Sequence, residues 1–233
     1  MSTEELFRDD ANLLACRASV LALGEGGVIL DRTVCYPLGG GQAGDSGWLQ
    51  AAAQRWRISD TRKSKQWPGV IVHLVEGELP AVGTGVQVAV DAARRQAHRR
   101  FHTATHLLCA LLPYPVDGCS ITETYARLDF HTDQPFDKDA LQQGLARLVA
   151  EAHPVRQRWI SEAELDANPG LVRSMSVQPP RGLGRVRVVE VEGVDLQPCG
   201  GTHVDNTADI GALVVSRIEK KSALTRRVVL GFA

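Results

Sequence analysis

Short apolar stretches separated by turn residues make up the chain as far as Asp91. Many of these stretches are rich in β-branched residues, and glycine and proline stand between them, as is typical of strands joined by tight turns. This part shows no convincing helical spacing, so the pattern predicts a small antiparallel β-barrel. The predicted strands cover residues 13–23, 27–32, 48–51, 54–60, 70–75 and 86–90.

The hydrophobic pattern changes after Asp91. Over residues 92–112 apolar positions recur at helical spacing without glycine or proline, and Pro113 ends the predicted helix. Strands and helices then follow in a mixed order, which predicts an α+β fold with a domain boundary near Asp91. We expect residues 1–91 to form the barrel and residues 92–233 to form a two-layer α/β sandwich. The further strands are predicted at 118–122, 125–131, 155–160, 185–191, 212–219 and 226–232, and the further helices at 137–151 and 161–168.

The composition limits the class of protein. With 233 residues, 44% of them hydrophobic, the chain can bury one substantial core or two smaller ones. A formal net charge of −1 excludes a globally basic nucleic-acid-binding chain, so any contact with RNA must use local clusters of lysine and arginine. The chain starts with polar and acidic residues, and no stretch approaches the ~20 apolar residues that cross a bilayer. We therefore expect a cytoplasmic protein without membrane contact, and no obligate protein partner is indicated.

Two pairs of residues have the spacing of metal ligands. His102 and His106 lie four apart in the strongest predicted helix, so both imidazoles face the same side, about 6 Å apart along the axis. Cys199 and His203 flank a double glycine, whose permissive backbone can bring two ligands onto one centre. The 5 cysteines are odd in number and scattered, which favours free thiols over a disulfide framework. Three histidines and one cysteine predict a tetrahedral zinc site.

Simpler explanations exist for each pair taken alone. Two histidines four apart on a helix are common, and a single cysteine is often a small core residue. Together the two pairs indicate a metal site more strongly than either does alone, because each supplies the ligands that the other lacks. His98 could pair with His102 instead, although we expect it on the helix surface beside arginines. A metalloprotease is not expected, because the residues between His102 and His106 offer no carboxylate as general base.

The residues around the two pairs resemble the editing domain of alanyl-tRNA synthetases and their free-standing AlaX relatives. The matching strings are FHTATHLL at residues 101–108 and CGGTHV at 199–204, in the expected order. Upstream, YPLGGGQ at 36–42 is similar to the glycine-rich element of the family's N-terminal barrel. Downstream, RIEK at 217–220 and RRV at 226–228 are similar to its closing strands. The resemblance covers nearly the whole chain and fits the medium-length AlaX type, which acts in trans.

This resemblance implies a zinc-dependent deacylase. Its reaction is the hydrolysis of the ester that joins serine or glycine to mischarged alanine tRNA. Zinc would polarise the ester carbonyl, activate a water or hold the substrate, and the sequence leaves these three roles open. His102, His106 and His203 are the expected firm ligands, and Cys199 is the expected fourth.

Residues near the expected ligands are candidates for substrate binding. Backbone N–H groups of the glycine run would approach the substrate, and Gln42 could bond a carbonyl or a ribose hydroxyl, although a hairpin turn also explains the glycines. A threonine hydroxyl beside the ligands could accept the hydroxyl of serine, or bond its own helix backbone. An arginine and an aspartate on one strand face could form an ion pair near the site or only on the surface. These candidates are Gly39, Gly40, Gly41, Gln42, Thr103, Thr105, Arg127 and Asp129.

Two basic clusters adjoin the metal motifs and are candidate contacts for the tRNA backbone. Phosphate contacts would position the acceptor end and make activity salt-sensitive, although a run of charges is usually a solvated face. The first cluster comprises Arg94, Arg95, Arg99 and Arg100, and the second comprises Lys220, Lys221, Arg226 and Arg227.

Two other functions stay open from the sequence. A non-catalytic, zinc-stabilised tRNA-binding module would close the same four ligands around a structural ion. A hydrolase of another small acyl ester or amide could use the same fold. Release of serine from charged tRNA separates the first alternative from the deacylase, and turnover of a free amino-acid ester separates the second.

Overall fold

Strands outnumber helices throughout the computed structural model, which describes residues 1–175, 178–179, 181–182 and 184–233. Among the described residues, no helix combines the length and apolar character that crossing a bilayer requires. The α-helices are α1 (Ala92–Leu111), α2 (Lys138–Ala150) and α3 (Glu162–Ala167), and single 3-10 turns cover Leu6–Arg8, Pro169–Leu171 and Thr207–Ile210. The strands are β1 (Glu4–Glu5), β2 (Ala15–Gly24), β3 (Gly27–Leu30), β4 (Arg32–Thr33), β5 (Gly47–Ala51), β6 (Gln54–Lys63), β7 (Ile71–Val75), β8 (Gly85–Val90), β9 (Val116–Ile121), β10 (Ala126–His131), β11 (Val155–Ser161), β12 (Arg185–Val191), β13 (Asp195–Pro198), β14 (Leu213–Ser222) and β15 (Thr225–Phe232).

The chain divides into two compact units. The first contains Met1–Gly39 and Ala43–Gln96, and the second contains Gly40–Gln42 and Ala97–Ala233. The division therefore falls within α1, and a three-residue segment of the glycine run groups with the second unit. That residues 1–91 and 92–233 fold as separate domains stays a prediction.

The first unit is a closed β-barrel with the strand order β2-β3-β7-β6-β5-β8. Every neighbouring pair is antiparallel, so the predicted small antiparallel barrel is confirmed. Alternate side chains point inward, and Val28, Leu49 and Val88 are fully buried in the barrel core. Gly47 lets β5 approach β8 closely, because a Cβ there would lie 2.1 Å from the Ala89 carbonyl oxygen.

A buried ion pair joins the start of α1 to the barrel loops of the first unit. The Arg95 side chain donates from Nε to Asp45 Oδ2 over 3.0 Å, and the Tyr36 N–H donates to the same oxygen over 2.7 Å. Both partners of the pair have 1% side-chain exposure. Removing either partner would leave an uncompensated buried charge, so this contact fixes the local geometry.

The second unit is an α+β sandwich. Its antiparallel sheets have the orders β14-β15-β10-β9 and β11-β12-β13. Phe101 and Leu108 of α1, Leu145 of α2, Phe130 of β10 and Val189 of β12 belong to one buried core. The predicted α+β fold, with a barrel followed by a sandwich, is confirmed. Strand β13 was not predicted, because its four residues Asp-Leu-Gln-Pro include a single aliphatic side chain and end in proline.

Candidate metal centre

The four expected ligands meet in the second unit. His102 and His106 lie on one face of α1, while Cys199 and His203 lie in the loop that follows β13. Their ligand atoms all lie within 4.8 Å of one another. Cys199 Sγ is 3.4 Å from His102 Nε2 and 3.2 Å from His203 Nε2. Tetrahedral zinc, with bonds of ~2.3 Å to sulfur and ~2.0 Å to nitrogen, separates such atoms by about 3.5 Å. The cluster could therefore hold one metal ion.

Each histidine of the cluster is oriented through its other ring nitrogen. A partner that accepts a hydrogen bond from Nδ1–H leaves the Nε2 lone pair free for a metal. All three Nε2 atoms are thereby available on the cluster side, which supports the fit of the residues to zinc. The three bonds run from His102 to Gln42 Oε1 (2.8 Å), from His106 to Asp195 Oδ2 (2.9 Å) and from His203 to Thr103 Oγ1 (3.2 Å).

Gln42 is a positioning residue for His102. Its amide oxygen also accepts from the Thr202 N–H over 3.1 Å, and its amide nitrogen donates to Thr202 Oγ1 over 3.0 Å. The side chain is completely buried, so its amide groups are used within the fold. The structure thus places Gln42 beside the ligands, but not as a free donor for a substrate carbonyl or ribose.

The glycine run before Gln42 is held against β9. Gly41 has φ of +84°, and a Cβ there would lie 2.7 Å from Cys119 Sγ, so only glycine fits without a shift. Its carbonyl oxygen accepts from the Ile121 N–H over 2.7 Å. Gly40 also has positive φ and is exposed, whereas Gly39 belongs to the first unit and accepts from the Tyr36 hydroxyl. The structure therefore brings Gly40 and Gly41, together with Gln42, to the second unit.

The double glycine of the ligand loop is needed for space. The sequence suggested that the two glycines provide backbone freedom. Neither Gly200 nor Gly201 has positive φ, so this freedom does not explain them. A Cβ at Gly201 would lie 2.1 Å from His102 Cε1, which shows how closely the loop passes the imidazole. The Arg187 guanidinium holds the loop by donating to the Cys199 carbonyl oxygen at 2.7 Å and the Gly201 carbonyl oxygen at 3.1 Å.

The two threonines of α1 use their hydroxyls within the protein. Thr103 donates to the Arg99 carbonyl oxygen over 3.0 Å and accepts from the Val204 N–H over 3.2 Å, in addition to its bond with His203. Thr105 donates to the His102 carbonyl oxygen over 2.7 Å. Both side chains are buried. These bonds match the alternative in which a helix threonine bonds the backbone, and Thr103 also orients a ligand.

Asp195 belongs to the candidate site through its contact with His106, which the sequence did not reveal. It is buried on β13, and Gln197 donates to the same carboxylate oxygen that His106 uses, over 2.8 Å. A carboxylate behind a ligating imidazole raises the basicity of the ring and fixes its orientation. The aspartate four residues before Cys199 was the available signal, but no local pattern connects it with a helix 89 residues away.

Replacing Asp195 with alanine is expected to weaken zinc binding by about 10- to 100-fold, because His106 loses its orienting partner. Asp195→Asn should lie between wild type and Asp195→Ala, since an amide oxygen can still accept from Nδ1–H. Competition with a chromogenic chelator measures the affinity, with Asp209→Asn as the control. Unchanged zinc affinity in Asp195→Ala would remove this residue from the account of the site.

The cluster carries a charge pair of its own before metal enters. Burial lowers the pKa of His106, but the hydrogen bonds with Asp195 and Cys199 oppose burial and bring the pKa to about 9. Burial would raise the pKa of the Cys199 thiol, yet the neighbouring His102 and His203 hold it well below its ordinary value. Burial holds the pKa of His203 well below its ordinary value. These shifts favour the thiolate form of Cys199 and the protonated form of His106 in the metal-free site.

Zinc binding is consequently expected to depend on pH. The His106 proton must leave before Nε2 can bind zinc, and the pKa of about 9 means that this proton is present at pH 7. The apparent affinity should rise roughly tenfold per pH unit from pH 7 and level off near pH 9. Isothermal calorimetry in two buffers of different ionisation enthalpy should detect about one released proton at pH 7. An affinity independent of pH between 7 and 8.5 would contradict this assignment.

Two arginines of the first basic cluster are buried, and the other two are half-buried. Arg95 is fully buried in its ion pair with Asp45, and Arg94 donates to the Gly44 carbonyl oxygen. Arg99 is 6% exposed and donates to the His203 carbonyl oxygen over 2.6 Å. The guanidinium groups of Arg95 and Arg99 are therefore used inside the protein, and phosphate contacts from the half-buried Arg94 and Arg100 stay a prediction.

Arg100 and His98 also lie in this segment of α1 and make contacts within the protein. Arg100 donates to the Ile210 carbonyl oxygen over 2.6 Å, and its guanidinium lies 3.8 Å from the centroid of the Phe232 ring. His98, which was expected on the helix surface, is fully buried. That expectation was wrong because polar side chains of this segment face the protein interior and not solvent.

The second basic cluster is only partly exposed. Lys220 and Lys221 are exposed near the end of β14. Arg226 is 8% exposed and donates to the Ser222 carbonyl oxygen, so the expectation of a phosphate contact is not supported for this residue. Arg227 binds both carboxylate oxygens of its cross-strand partner, as described next.

A small ion-pair network covers one face of β10 and β15. Arg127 and Asp129 share a strand face, as expected, and form an ion pair of 3.3 Å. Arg227 donates to Asp129 Oδ1 over 2.6 Å and to Oδ2 over 2.8 Å, because the two residues are register partners. The bidentate contact raises the pKa of the Arg227 guanidinium. That Arg127 and Asp129 contribute to substrate binding stays a prediction.

Two family models match the chain. The model for the threonyl and alanyl tRNA synthetase second additional domain matches residues 186–229, which include the ligand loop. The model for tRNA synthetases class II (A) matches residues 8–94, which include the barrel strands.

The chain is also similar to alanine–tRNA ligases over most of its length. It is 35% identical to that of Methanothermobacter thermautotrophicus over 231 residues, covering 94% of this chain and 25% of the ligase. It is 33% identical to that of Archaeoglobus fulgidus over 94% of this chain and 24% of the ligase. The Methanothrix thermoacetophila ligase is 36% identical over 87% of this chain and 23% of its own length.

The chain thus spans about a quarter of the length of these curated relatives. The matches include both the strands of the barrel and the CGGTHV loop. With the ligand motifs assembled in one cluster, they confirm the resemblance of the chain to the editing region of alanyl-tRNA synthetases and agree with an AlaX-type protein.

Proposed function

We propose that the chain is a trans-acting deacylase that hydrolyses the ester joining serine or glycine to mischarged alanine tRNA. The observation that carries this proposal is the cluster of His102, His106, Cys199 and His203, whose ligand atoms lie within 4.8 Å of one another. The similarity to alanine–tRNA ligases over 94% of this chain supports a tRNA substrate. The same similarity supports alanine tRNA as the one whose ester is hydrolysed.

Zinc is the proposed cofactor, because three imidazoles and one thiolate form the borderline-soft donor set that zinc prefers. When bound, it would supply Lewis acidity to the ester carbonyl, activate a water or hold the substrate. The chain's own residues prepare the site for this. Gln42, Asp195 and Thr103 fix the imidazole rings.

The glycine segment is the proposed substrate contact. Gly40 is exposed and Gly41 half-buried, and both have positive φ. Because neither has a side chain, a substrate could reach their backbone from solvent. The next residue, Gln42, accepts a hydrogen bond from Nδ1 of His102, the ring nitrogen that does not face the cluster. A substrate carbonyl bound by this backbone would therefore lie near the cluster.

A non-catalytic role is the alternative that the geometry keeps open. Four ligand atoms around one point leave no coordination position for water, as in structural zinc sites. A catalytic site would require one ligand to leave, and Cys199 is the one that is half-buried while the three histidines are buried. The two functions make opposite predictions for hydrolysis.

The test is release of amino acid from alanine tRNA charged with serine, glycine or alanine. The zinc-loaded protein should release serine or glycine much faster than alanine, and His102→Ala should release neither. His131→Ala, which changes an exposed histidine paired with Asp117, serves as the matched control. Absence of zinc-dependent release would favour the non-catalytic module. Equal turnover of a free serine ester would favour a hydrolase of small acyl esters.

A further inference from the structure

A cationic surface covers the outside of the barrel at four adjacent strands, β2, β8, β5 and β6. Two rows of register partners cross these strands. The surface is here called the arginine face. Its first row is Arg17, Gln87, Gln50 and Arg55, and its second row includes Ala89, Trp48 and Arg57.

The side chains of the arginine face point away from the barrel interior. Leu49 and Val88, which alternate with them along β5 and β8, are fully buried in the core. Because successive residues of a strand point to opposite faces, the residues between them face outward. Arg17, Arg55 and Arg57 are accordingly exposed.

The four strands that form the arginine face contain few acidic residues. None of its arginines forms an ion pair with any residue in the described part of the chain. Asp60 is the single acidic residue in the sequences of the four strands, and it pairs with Arg62 over 2.7 Å. In a chain whose formal net charge is −1, this face is locally positive.

Trp48 orders two of these arginines. The Arg55 guanidinium lies 3.9 Å from the centroid of the Trp48 ring, and that of Arg57 lies 5.6 Å from it. Stacking on an aromatic ring restricts the guanidinium without using its N–H donors. The donors therefore stay available for an anion, and less conformational entropy is lost when it binds.

We propose that the arginine face binds the phosphate backbone of the tRNA. The planar N–H fork of arginine matches phosphate, and a duplex RNA arm presents a regular series of phosphates to a rigid sheet surface. This inference rests on the proposed function for the identity of the RNA. It also assigns the backbone contact to residues other than Arg95, Arg99 and Arg226, which are buried within the protein.

The test compares two double variants with the same change of charge. Arg55→Gln/Arg57→Gln removes two arginines of the face, and Arg147→Gln/Arg156→Gln removes two exposed arginines that pair with Glu151 and Glu192. The probe is uncharged alanine tRNA, with Kd measured by fluorescence anisotropy over a series of salt concentrations. Melting temperatures of both variants verify that they fold.

The face variant should weaken tRNA binding by about tenfold or more at low salt and reduce the slope of log K against log[salt] by about 2. The control variant should change Kd by less than about twofold, because its arginines are not at the interface. Equal effects of the two variants would overturn the proposal. The proposal would also be overturned if the face variant bound tRNA normally but lost binding to anionic phospholipid vesicles.

The outcome is distinguishable from that of the proposed function. If the wild-type protein binds tRNA through Arg55 and Arg57 but releases no serine, the deacylase proposal fails and the arginine face stands. If it releases serine while both double variants bind tRNA equally, the arginine face fails alone. For an active enzyme, the face variant should raise KM for charged tRNA more than it lowers kcat.

Discussion

Replacing His106 with alanine is expected to lower zinc affinity by at least about 100-fold and to abolish zinc-dependent hydrolysis. Structural zinc binding of roughly 10–16 kcal/mol, shared among four ligands, gives about 2.5–4 kcal/mol for each ligand. The substitution also removes the Nδ1–H donor from the buried Asp195 carboxylate, whose other partner is Gln197. The metal-free variant should therefore lose a further ~1–3 kcal/mol of folding stability.

Zinc per chain, measured by atomic absorption after dialysis, and the urea midpoint of the stripped protein check the two parts of this prediction. His131→Ala is the control, because His131 pairs with Asp117 on the surface. Full zinc occupancy in His106→Ala at micromolar free zinc would show that this histidine is not a ligand.

Replacing Gly201 with alanine is expected to disable the site without removing any ligand. The new Cβ would lie 2.1 Å from His102 Cε1 and 2.9 Å from Gln42 Oε1, so the imidazole and its partner must both move. A displacement of a ligand by a few tenths of an ångström or more matters, since zinc tolerates deviations of only about 0.2 Å. We expect zinc affinity and hydrolysis to fall by about tenfold or more.

Gly170→Ala is the matched control for Gly201→Ala. A Cβ at Gly170 meets no atom within 4 Å, and its φ is not in the left-handed region. Zinc titration and the hydrolysis rate are measured for both variants. If Gly201→Ala binds zinc as tightly as Gly170→Ala, the close approach of the loop to His102 is not what orients the ring.

The strands and helices that the sequence predicts are those with a strong local pattern. The β-branched stretches between glycines became the barrel strands, and the helical spacing of Phe101, Leu107 and Leu108 became the buried face of α1. The histidines four apart on that helix share a face for the same geometric reason. Strand β13 escaped prediction because its sequence, Asp-Leu-Gln-Pro, has no alternating apolar pattern.

The residues that orient the expected ligands could not be predicted from local sequence patterns. Gln42 lies 60 residues from His102, and Asp195 lies 89 residues from His106, so only the folded chain shows that they touch. The basic clusters mislead for a related reason. Arg99 donates to a carbonyl oxygen 104 residues away. Such contacts bury charged groups that the sequence suggests are exposed on the surface.

The measurement that tests the central claim most directly is zinc reconstitution of the metal-stripped protein during hydrolysis of serine-charged alanine tRNA. The rate should be near zero without metal and rise linearly with added zinc until one equivalent per chain is bound. It should then stay constant, and His106→Ala should show no such rise. Hydrolysis at the full rate by the stripped protein, or no hydrolysis at one equivalent of bound zinc, would contradict the account.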